Sequence, residues 1–175
     1  RRRQRSGAPG AAPDRGVNTN IAGESRGQLA EEPDREPTWI VCGAGTGGRS
    51  ATIGRYLRYR GLHTQLCIAE PAGSAFVHGW RSRDRDARAT QATVIEGIGR
   101  HCVEPGFLFE IVDDLIEVPD AASIAGAWQL EALLGRRSGG SSGTNFIACL
   151  QLAARMRAQR ERGSIASLLG DRGDR

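Results

Sequence analysis

The residues from Gly43 to Gly48 have the types and spacing of an anion-binding turn. They read Gly-Ala-Gly-Thr-Gly-Gly. The turn starts within an apolar run, residues 39–45, that predicts a buried strand, and it leads into a helical pattern over residues 47–60. The first N–H groups of a helix have no partner within the helix, and glycines let an anion approach them closely. We therefore predict that this turn holds a phosphate group.

One ligand for such a turn is a dinucleotide. The six residues satisfy the pattern G-x-G-x-x-G, and Glu70 ends the next apolar run, residues 64–70, in position to accept a hydrogen bond from a ribose hydroxyl. This alternative is an NAD(P)-dependent oxidoreductase. The pattern is short and rich in glycine, and nothing downstream supplies the rest of a hydride-transfer site.

A second interpretation comes from resemblance. The stretch GAGTGGRSATIGRYLRYRG, residues 43–61, resembles the phosphate-binding turn of pyridoxal-phosphate (PLP) enzymes of the cysteine synthase and cystathionine beta-synthase family. Further stretches resemble that family in the family's order, and two flanking ones are similar to an actinobacterial-type branch of cysteine synthases and L-cysteine desulfhydrases. The resemblance covers roughly residues 14–175; its further stretches are residues 15–29, 95–99, 112–153 and 164–175.

The resemblance implies a set of contacts to the cofactor, pyridoxal 5'-phosphate. Where the family has a second Thr this chain has Arg49, which either pairs with the phosphate instead or crowds the pocket. Ser141 matches the serine that hydrogen-bonds the pyridine nitrogen; a neutral hydroxyl there favours β-elimination and β-replacement over transamination. The phosphate itself is implied to be held by Gly45, Thr46, Gly47 and Gly48.

The resemblance also implies a substrate side and a reaction. Gly97, Ile98 and Gly99 match the glycine loop that borders the amino-acid substrate. The implied activity is PLP-dependent β-elimination or β-replacement on cysteine or an O-activated serine. The sequence leaves a cysteine synthase and a cysteine desulfhydrase open.

One residue that this chemistry needs is absent. All 24 basic residues other than histidine are arginine, so the chain has no lysine. Members of the family form a Schiff base between a lysine and the cofactor, and the same amine moves the substrate α-proton. We therefore expect no catalytic residue here and an inactive carboxyl-terminal part of such an enzyme: an incomplete gene model, a pseudogene or a split product. The non-enzymatic alternative is a module that pairs with a separate amino-terminal half.

The remaining patterns predict the elements that position these residues. Residues 113–119 and 164–169 predict strands, residues 119–135 and 145–162 predict helices, and residues 70–106 predict a long loop. Alternating strands and helices predict an α/β fold: a parallel sheet of about four strands flanked by helices, part of a tryptophan synthase beta-like (fold type II) PLP domain. In the predicted helix over residues 119–135, Asp120 is the candidate N-cap and Gly135 lies near the C-cap. The predicted buried face of this helix consists of Ile124, Ala127, Trp128 and Leu134.

Composition sets the remaining expectations. We expect residues 1–37 to be disordered or irregular and residues 38–175 to form an incomplete large PLP-binding domain. Dispersed arginines and 5% aromatic residues exclude nucleic acid as a partner, and a mean hydropathy of -0.40 excludes a membrane protein. We expect a cytoplasmic protein that forms a homodimer or pairs with an amino-terminal half, and no metal, because neither the cysteines nor the histidines have metal-ligand spacing: Cys42, Cys67, Cys102, Cys149, His63, His78 and His101.

Overall fold

The centre of the fold is a parallel sheet. The computed structural model describes residues 27–32 and 34–170. Within them the strands stand in the order β3-β2-β1-β4, and every neighbouring pair is parallel, which confirms the predicted sheet. The strands are β1 Trp39–Cys42, β2 Gln65–Pro71, β3 Asp114–Val118 and β4 Ile165–Ser167.

Helices connect the strands, as parallel pairing requires. A short 3-10 turn, Phe109–Ile111, precedes β3. Among residues 34–170, the helices of eight or more residues are α1 Gly48–Tyr59, α2 Ala75–Ser82, α3 Asp120–Leu134 and α4 Gly140–Gln159.

The two faces of the sheet bury different side chains. Leu66 and Ile68 of β2 belong to one core cluster together with residues of α1 and α2. Cys67 and Ala69, which alternate with them, belong to a second cluster together with residues of α4. Because successive side chains of a strand point to opposite faces, helices cover both sides of the sheet.

Helix α2 lies inside the stretch that we predicted as a long loop, so that prediction was wrong in this part. Ser74 caps the helix by accepting a hydrogen bond from the Phe76 backbone N–H at 3.3 Å. Phe76 is fully buried, with its ring 4.4 Å from that of Phe107. Burial of a short apolar run stabilises this helix, and eight residues are too few for a clear periodicity.

Helix α4 starts at Gly140, five residues before the start that we predicted. The glycine- and serine-rich residues 138–144, which precede the predicted helix, are therefore mostly helical. Ser141 and Ser142 lie in the first turn of α4; the Ser142 N–H donates to the Gly139 carbonyl oxygen at 3.0 Å, so the N–H groups of Gly140 and Ser141 precede the first helical hydrogen bond.

The predicted buried face of α3 was wrong for three of its four residues. Ala127 is buried, but Ile124, Trp128 and Leu134 are 36%, 70% and 46% exposed. The face that packs on α4 consists mainly of small residues. Its buried members are Ser123, Gly126, Ala127 and Leu130.

Small residues are required there because the backbones of α3 and α4 nearly touch. A Cβ on Gly126 would lie 2.7 Å from the Gly143 carbonyl oxygen, and a Cβ on Gly143 would lie 2.6 Å from the Ala127 nitrogen. Beside this crossing, the Thr144 hydroxyl donates to Ser123 Oγ at 2.8 Å. Because the two backbones approach closely, only small residues fit on the face of α3 that packs on α4, and the large apolar residues of α3 lie on its exposed face.

The ends of α3 agree in part with the sequence. Gly135 is the left-handed C-cap, with φ at 66°, as predicted. Asp120 is the first helical residue rather than the N-cap, because Pro119 occupies the N-cap position. The Asp120 carboxylate instead accepts from the Thr93 hydroxyl at 2.7 Å and from the Val94 N–H at 2.8 Å.

Several expectations from the sequence concern segments that the structure describes only in part. Residues 1–26, 33 and 171–175 lie outside the described residues, so most of the segment expected to be irregular is untested. Among residues 27–32 and 34–170, no helix is long and apolar enough to span a bilayer. The same residues contain no group of three His, Cys, Asp or Glu side chains placed to bind a metal ion.

The crossing of α3 and α4 generates a stability prediction. Gly143→Ala places a Cβ against the backbone of α3, so we expect it to lower the free energy of unfolding by about 1–3 kcal/mol. Gly48→Ala is the matched control, because a Cβ on this helical glycine meets nothing within 4 Å. Urea unfolding of both variants measures the effect. Equal stability of the two variants would contradict the close crossing.

Candidate functional site

A cavity of about 430 Å³ lies beyond the carboxyl end of β1. Six of the nine residues that we predicted for the site line it: Gly45, Thr46, Arg49, Gly97, Ile98 and Ser141. Five residues that we did not predict line it as well: Gly43, Ala44, Glu96, Asn145 and Gly170. The volume is within the range of about 300–1,000 Å³ that is usual for small-molecule sites.

Three predicted residues are not in the cavity lining. Gly47 has φ at 89°, and a Cβ on it would overlap the backbone of Gly106 and Phe107, so it shapes the turn. Gly48 opens α1 beside the cavity. Gly99 directs its N–H away, to the Glu70 carboxylate at 3.0 Å. The predicted cofactor contacts of Gly47 and Gly48 and the predicted substrate-side position of Gly99 stay predictions.

The start of α1 has the electrostatics of an anion site. Its N-cap, Gly47, has no side chain to cap the helix, and the first turn holds no acidic residue. The first helical hydrogen bond runs from the Ala51 N–H to the Gly47 carbonyl oxygen at 2.8 Å, so the N–H groups of residues 48–50 precede it. The helix dipole and the Arg49 guanidinium add positive potential at this wall of the cavity.

The start of α4 forms another wall. Its N-cap Gly139 has no side chain either, and its first turn also lacks acidic residues. A Cβ built on Gly170 would lie 3.6 Å from Arg49 Nη1 and 3.9 Å from Ser141 Oγ. Arg49 and Ser141, more than ninety residues apart in sequence, therefore face the same small space, as the predicted site requires.

Asn145 is a residue of this site that the sequence interpretation missed. It is 6% exposed, its Nδ2 donates to the Leu168 carbonyl oxygen at 3.1 Å, and its Oδ1 is buried with no hydrogen-bond partner. A buried acceptor without a donor costs about 1–3 kcal/mol, so Oδ1 marks a place where a ligand group that donates is favoured. The available signal was spacing: Asn145 follows Ser141 by one helical turn.

Glu70 lies behind the turn and not in the cavity. Its carboxylate is fully buried and accepts hydrogen bonds from the Ala44 N–H at 3.0 Å, the Ser74 hydroxyl at 2.8 Å and the Gly99 N–H at 3.0 Å. Burial raises the pKa of this carboxyl from its ordinary 4.5 to about 7, against the lowering effect of these donors and of Arg100. Three donors from the protein occupy the carboxylate, so the ribose contact required by the dinucleotide alternative is closed to Glu70.

The cysteines offer no activated nucleophile near the site. All four are unpaired thiols. Cys42 is the one next to the turn, and burial raises the pKa of its thiol to about 12, so the thiolate is not populated at neutral pH. The arrangement can hold an anion and a ring, but these thiols do not supply covalent chemistry.

Comparisons with known proteins show a family match. Residues 14–169 match the family described as "Pyridoxal-phosphate dependent enzyme". The chain is 50% identical over 158 residues to L-cysteine desulfhydrase Cds1 of Mycobacterium tuberculosis, a match that covers 90% of this chain and 43% of the relative. It is 32% identical over 147 residues to cysteine synthase 2 of Emericella nidulans, covering 78% of this chain and 34% of the relative.

A solved structure shares the fold. The O-acetyl serine sulfhydrylase isoform 3 of Entamoeba histolytica superposes with a TM-score of 0.73 at 25% identity, covering 90% of this chain and 44% of that one. The resemblance to a fold type II PLP domain that the motifs implied is confirmed. The chain spans less than half the length of these relatives.

The raised pKa of Glu70 generates a pH prediction. The carboxyl binds its proton more tightly in the folded chain, so its contribution to stability is fully present below pH 4.5 and is lost as the pH rises through about 7. We expect the free energy of unfolding of the wild type, relative to Glu70→Gln, to fall by roughly 3 kcal/mol over that range. Urea unfolding at pH 5, 6, 7 and 8 measures this difference. A difference that does not change with pH would contradict it.

Proposed function

Because the chain belongs to the family of pyridoxal-phosphate dependent enzymes, we propose that its cavity holds pyridoxal 5'-phosphate for β-elimination or β-replacement on cysteine or an O-activated serine. The observation that carries the proposal is that an uncapped helix start, the Arg49 guanidinium and the Ser141 hydroxyl border the same cavity. These walls suit an anion and a ring with a polar nitrogen, and they include the loop predicted to border the substrate.

The residues present suit each part of this cofactor. The doubly charged phosphate suits the N–H groups at the start of α1, the Thr46 hydroxyl and Arg49, which takes the place of the family's second Thr. Ser141 is placed to hydrogen-bond the ring nitrogen. The unpaired Oδ1 of Asn145 lies one helical turn further along the same wall and offers an acceptor to a donor group on the ligand or to a bridging water.

The cofactor supplies an electron sink for negative charge at the substrate α-carbon. The residues of this chain bind and orient it, and Ser141, as a neutral hydroxyl, does not hold a proton on the ring. No residue among the 175 is a lysine, so the chain alone offers no lysine amine for covalent attachment or for moving the α-proton. We propose that the chain by itself holds the cofactor non-covalently and is inactive.

The substrate side of the site is proposed to be the loop of Gly97, Ile98 and Gly99. Gly97 and Ile98 line the cavity, and Gly97 has φ at 83°, which leaves its backbone exposed to a ligand. The similarity to an L-cysteine desulfhydrase and to a cysteine synthase supports an amino-acid substrate of the cysteine or activated-serine class. The proposal covers both reactions: β-elimination, which releases sulfide from cysteine, and β-replacement, which forms cysteine.

Location and association are part of the same proposal. Four unpaired cysteines suit a reducing compartment such as the cytoplasm. Large apolar side chains are exposed on α3 and α4, among them Trp128 at 70%, Leu133 at 66% and Leu150 at 50%. They support association with a second copy or with a separately encoded amino-terminal half.

The proposed site generates a binding prediction. We expect pyridoxal 5'-phosphate to bind the chain at least about tenfold more tightly than pyridoxal, because charge-assisted hydrogen bonds to the phosphate contribute roughly 1.5–3 kcal/mol each. We expect no visible absorbance change of the kind that attachment to a lysine gives. Ser141→Ala should weaken pyridoxal 5'-phosphate about three- to tenfold and leave sulfate affinity unchanged, since the hydroxyl contacts the ring. Quenching of tryptophan fluorescence measures all three affinities.

Two outcomes of that titration would overturn the proposal. One is equal affinity for pyridoxal and its phosphate, which would remove the anion site. The other is tight binding of NADH with enhanced fluorescence, which would favour an oxidoreductase instead. Arg49→Ala separates the two roles left open for Arg49: weaker sulfate binding indicates pairing, and tighter binding indicates crowding.

Association has its own prediction. We expect the isolated chain to be marginally stable and to self-associate, and Trp128→Gln to reduce that association because it removes a 70% exposed aromatic side chain. Tyr59→Gln, at an 87% exposed aromatic on α1, is the matched control and should leave association unchanged. Sedimentation velocity measures both. A monodisperse monomer with a cooperative melt at high temperature would contradict the prediction.

A further inference from the structure

Two glycine loops from distant parts of the chain border the cavity, and one buried carboxylate is bonded to both. Glu70 accepts from the Ala44 N–H, in the phosphate turn of residues 43–48, at 3.0 Å. It accepts from the Gly99 N–H, in the substrate-side loop of residues 95–99, also at 3.0 Å. Between β1 and α1 the turn has no regular structure, and the substrate-side loop has none, so secondary structure does not set the distance between the loops.

Arg100, the residue after the substrate-side loop, adds a contact to the phosphate turn and is itself held by α2. Arg100 Nε donates to the Gly45 carbonyl oxygen at 3.1 Å, and the Arg100 carbonyl oxygen accepts from the Ala75 N–H at 3.0 Å. A Cβ on Gly43 would lie 2.6 Å from Ile98 Cγ2, so the glycine allows the loops to pack closely. The loops are therefore held together by a carboxylate on one side and a guanidinium on the other.

We propose that Glu70 is a positioning residue that fixes the width of the cavity, by holding the phosphate turn and the substrate-side loop to one carboxylate. These hydrogen bonds do not depend on the identity of the ligand, whereas their effect on ligand binding rests on the proposed function. An anion in the turn lies near the Glu70 carboxylate and disfavours its negative charge. Binding of an anion at the phosphate turn is thereby linked to the hydrogen bond from the Gly99 N–H, because both depend on the charge of the Glu70 carboxylate.

The surroundings make Glu70 the group that responds near neutral pH. Burial raises the pKa of its carboxyl to about 7, and Arg100 lowers it. From β1 it faces Cys42, whose thiol stays neutral because burial raises its pKa to about 12. From the start of α2 it faces the uncharged Ser74 hydroxyl, and its register neighbour on β3, Glu117, is paired with an arginine, Arg81, at 3.0 Å.

The proposal is tested first on the folded chain without cofactor. The backbone amide resonances of Ala44 and Gly99 should shift between pH 5.5 and 8.5 with one common midpoint. The Gly73 amide, which donates to Glu117, should not follow that midpoint. His101 lies two residues after Gly99, so the measurement is made in a His101→Gln background, which removes the imidazole from beside the observed amide. Different midpoints for Ala44 and Gly99, or no shift in either, would overturn the proposal.

Sulfate then probes the link to the phosphate turn, because its double negative charge does not change over this pH range. Saturating sulfate should raise the common midpoint of Ala44 and Gly99. Glu70→Gln should abolish that midpoint and change sulfate affinity by about tenfold, since an amide places a donor against one of the two loop N–H groups. An unchanged midpoint with sulfate bound would overturn the link.

Two more variants separate positioning from general stability. Ser74→Ala removes the third hydrogen bond and the cap of α2, so it should destabilise the fold and raise the midpoint, because the Ser74 hydrogen bond lowers the pKa of Glu70; the midpoint should stay common to Ala44 and Gly99. Glu70→Asp shortens the side chain by one methylene, so only one of the two amide resonances, Ala44 or Gly99, should still shift with pH. This variant replaces Glu70→Gln in the test if Glu70→Gln does not fold. A common midpoint in a chain that does not bind pyridoxal 5'-phosphate would contradict the proposed function and leave the positioning role standing.

Discussion

The site depends on backbone contacts that only glycine permits. Gly47 lies against the backbone of Gly106 and Phe107, which fixes where α1 begins. Gly143 lies against the backbone of α3, which fixes where α4 runs. As a result two helices start at the same cavity, and both starts lack a capping side chain. A Cβ at either glycine would separate backbones whose distance sets the shape of the site.

The same geometry explains why the walls of the cavity are mostly backbone. Free N–H groups and helix dipoles supply positive potential without a lysine, and the side chains that add to it are few. Arg49 provides a guanidinium, Ser141 a hydroxyl and Asn145 an unpaired acceptor. This set orients a ligand. It does not contain the amine that the proposed chemistry needs, because no residue among the 175 is a lysine.

The sequence predicted the parallel sheet and assigned Arg49 and Ser141 to one site, and both residues line one cavity, because strand runs and short glycine motifs are local signals. Phosphate binding by the glycine turn stays a prediction. It failed where tertiary packing decides. The exposed face of α3 carries Trp128 because the helix crossing requires small residues on the other face, and apolar periodicity does not report how closely two helices approach. The dinucleotide alternative offered Glu70 as a ribose ligand, because the sequence alone does not show whether a carboxylate at a strand end faces a cavity or is buried among protein donors.

The most direct test of this account is a crystal structure of the chain soaked with pyridoxal 5'-phosphate. The account predicts phosphate density against the N–H groups of residues 45–49 and the ring nitrogen within hydrogen-bond distance of Ser141 Oγ, with no covalent bond to the protein. Phosphate density at that turn with the ring directed away from α4, or a ligand bound in another part of the chain, would contradict it.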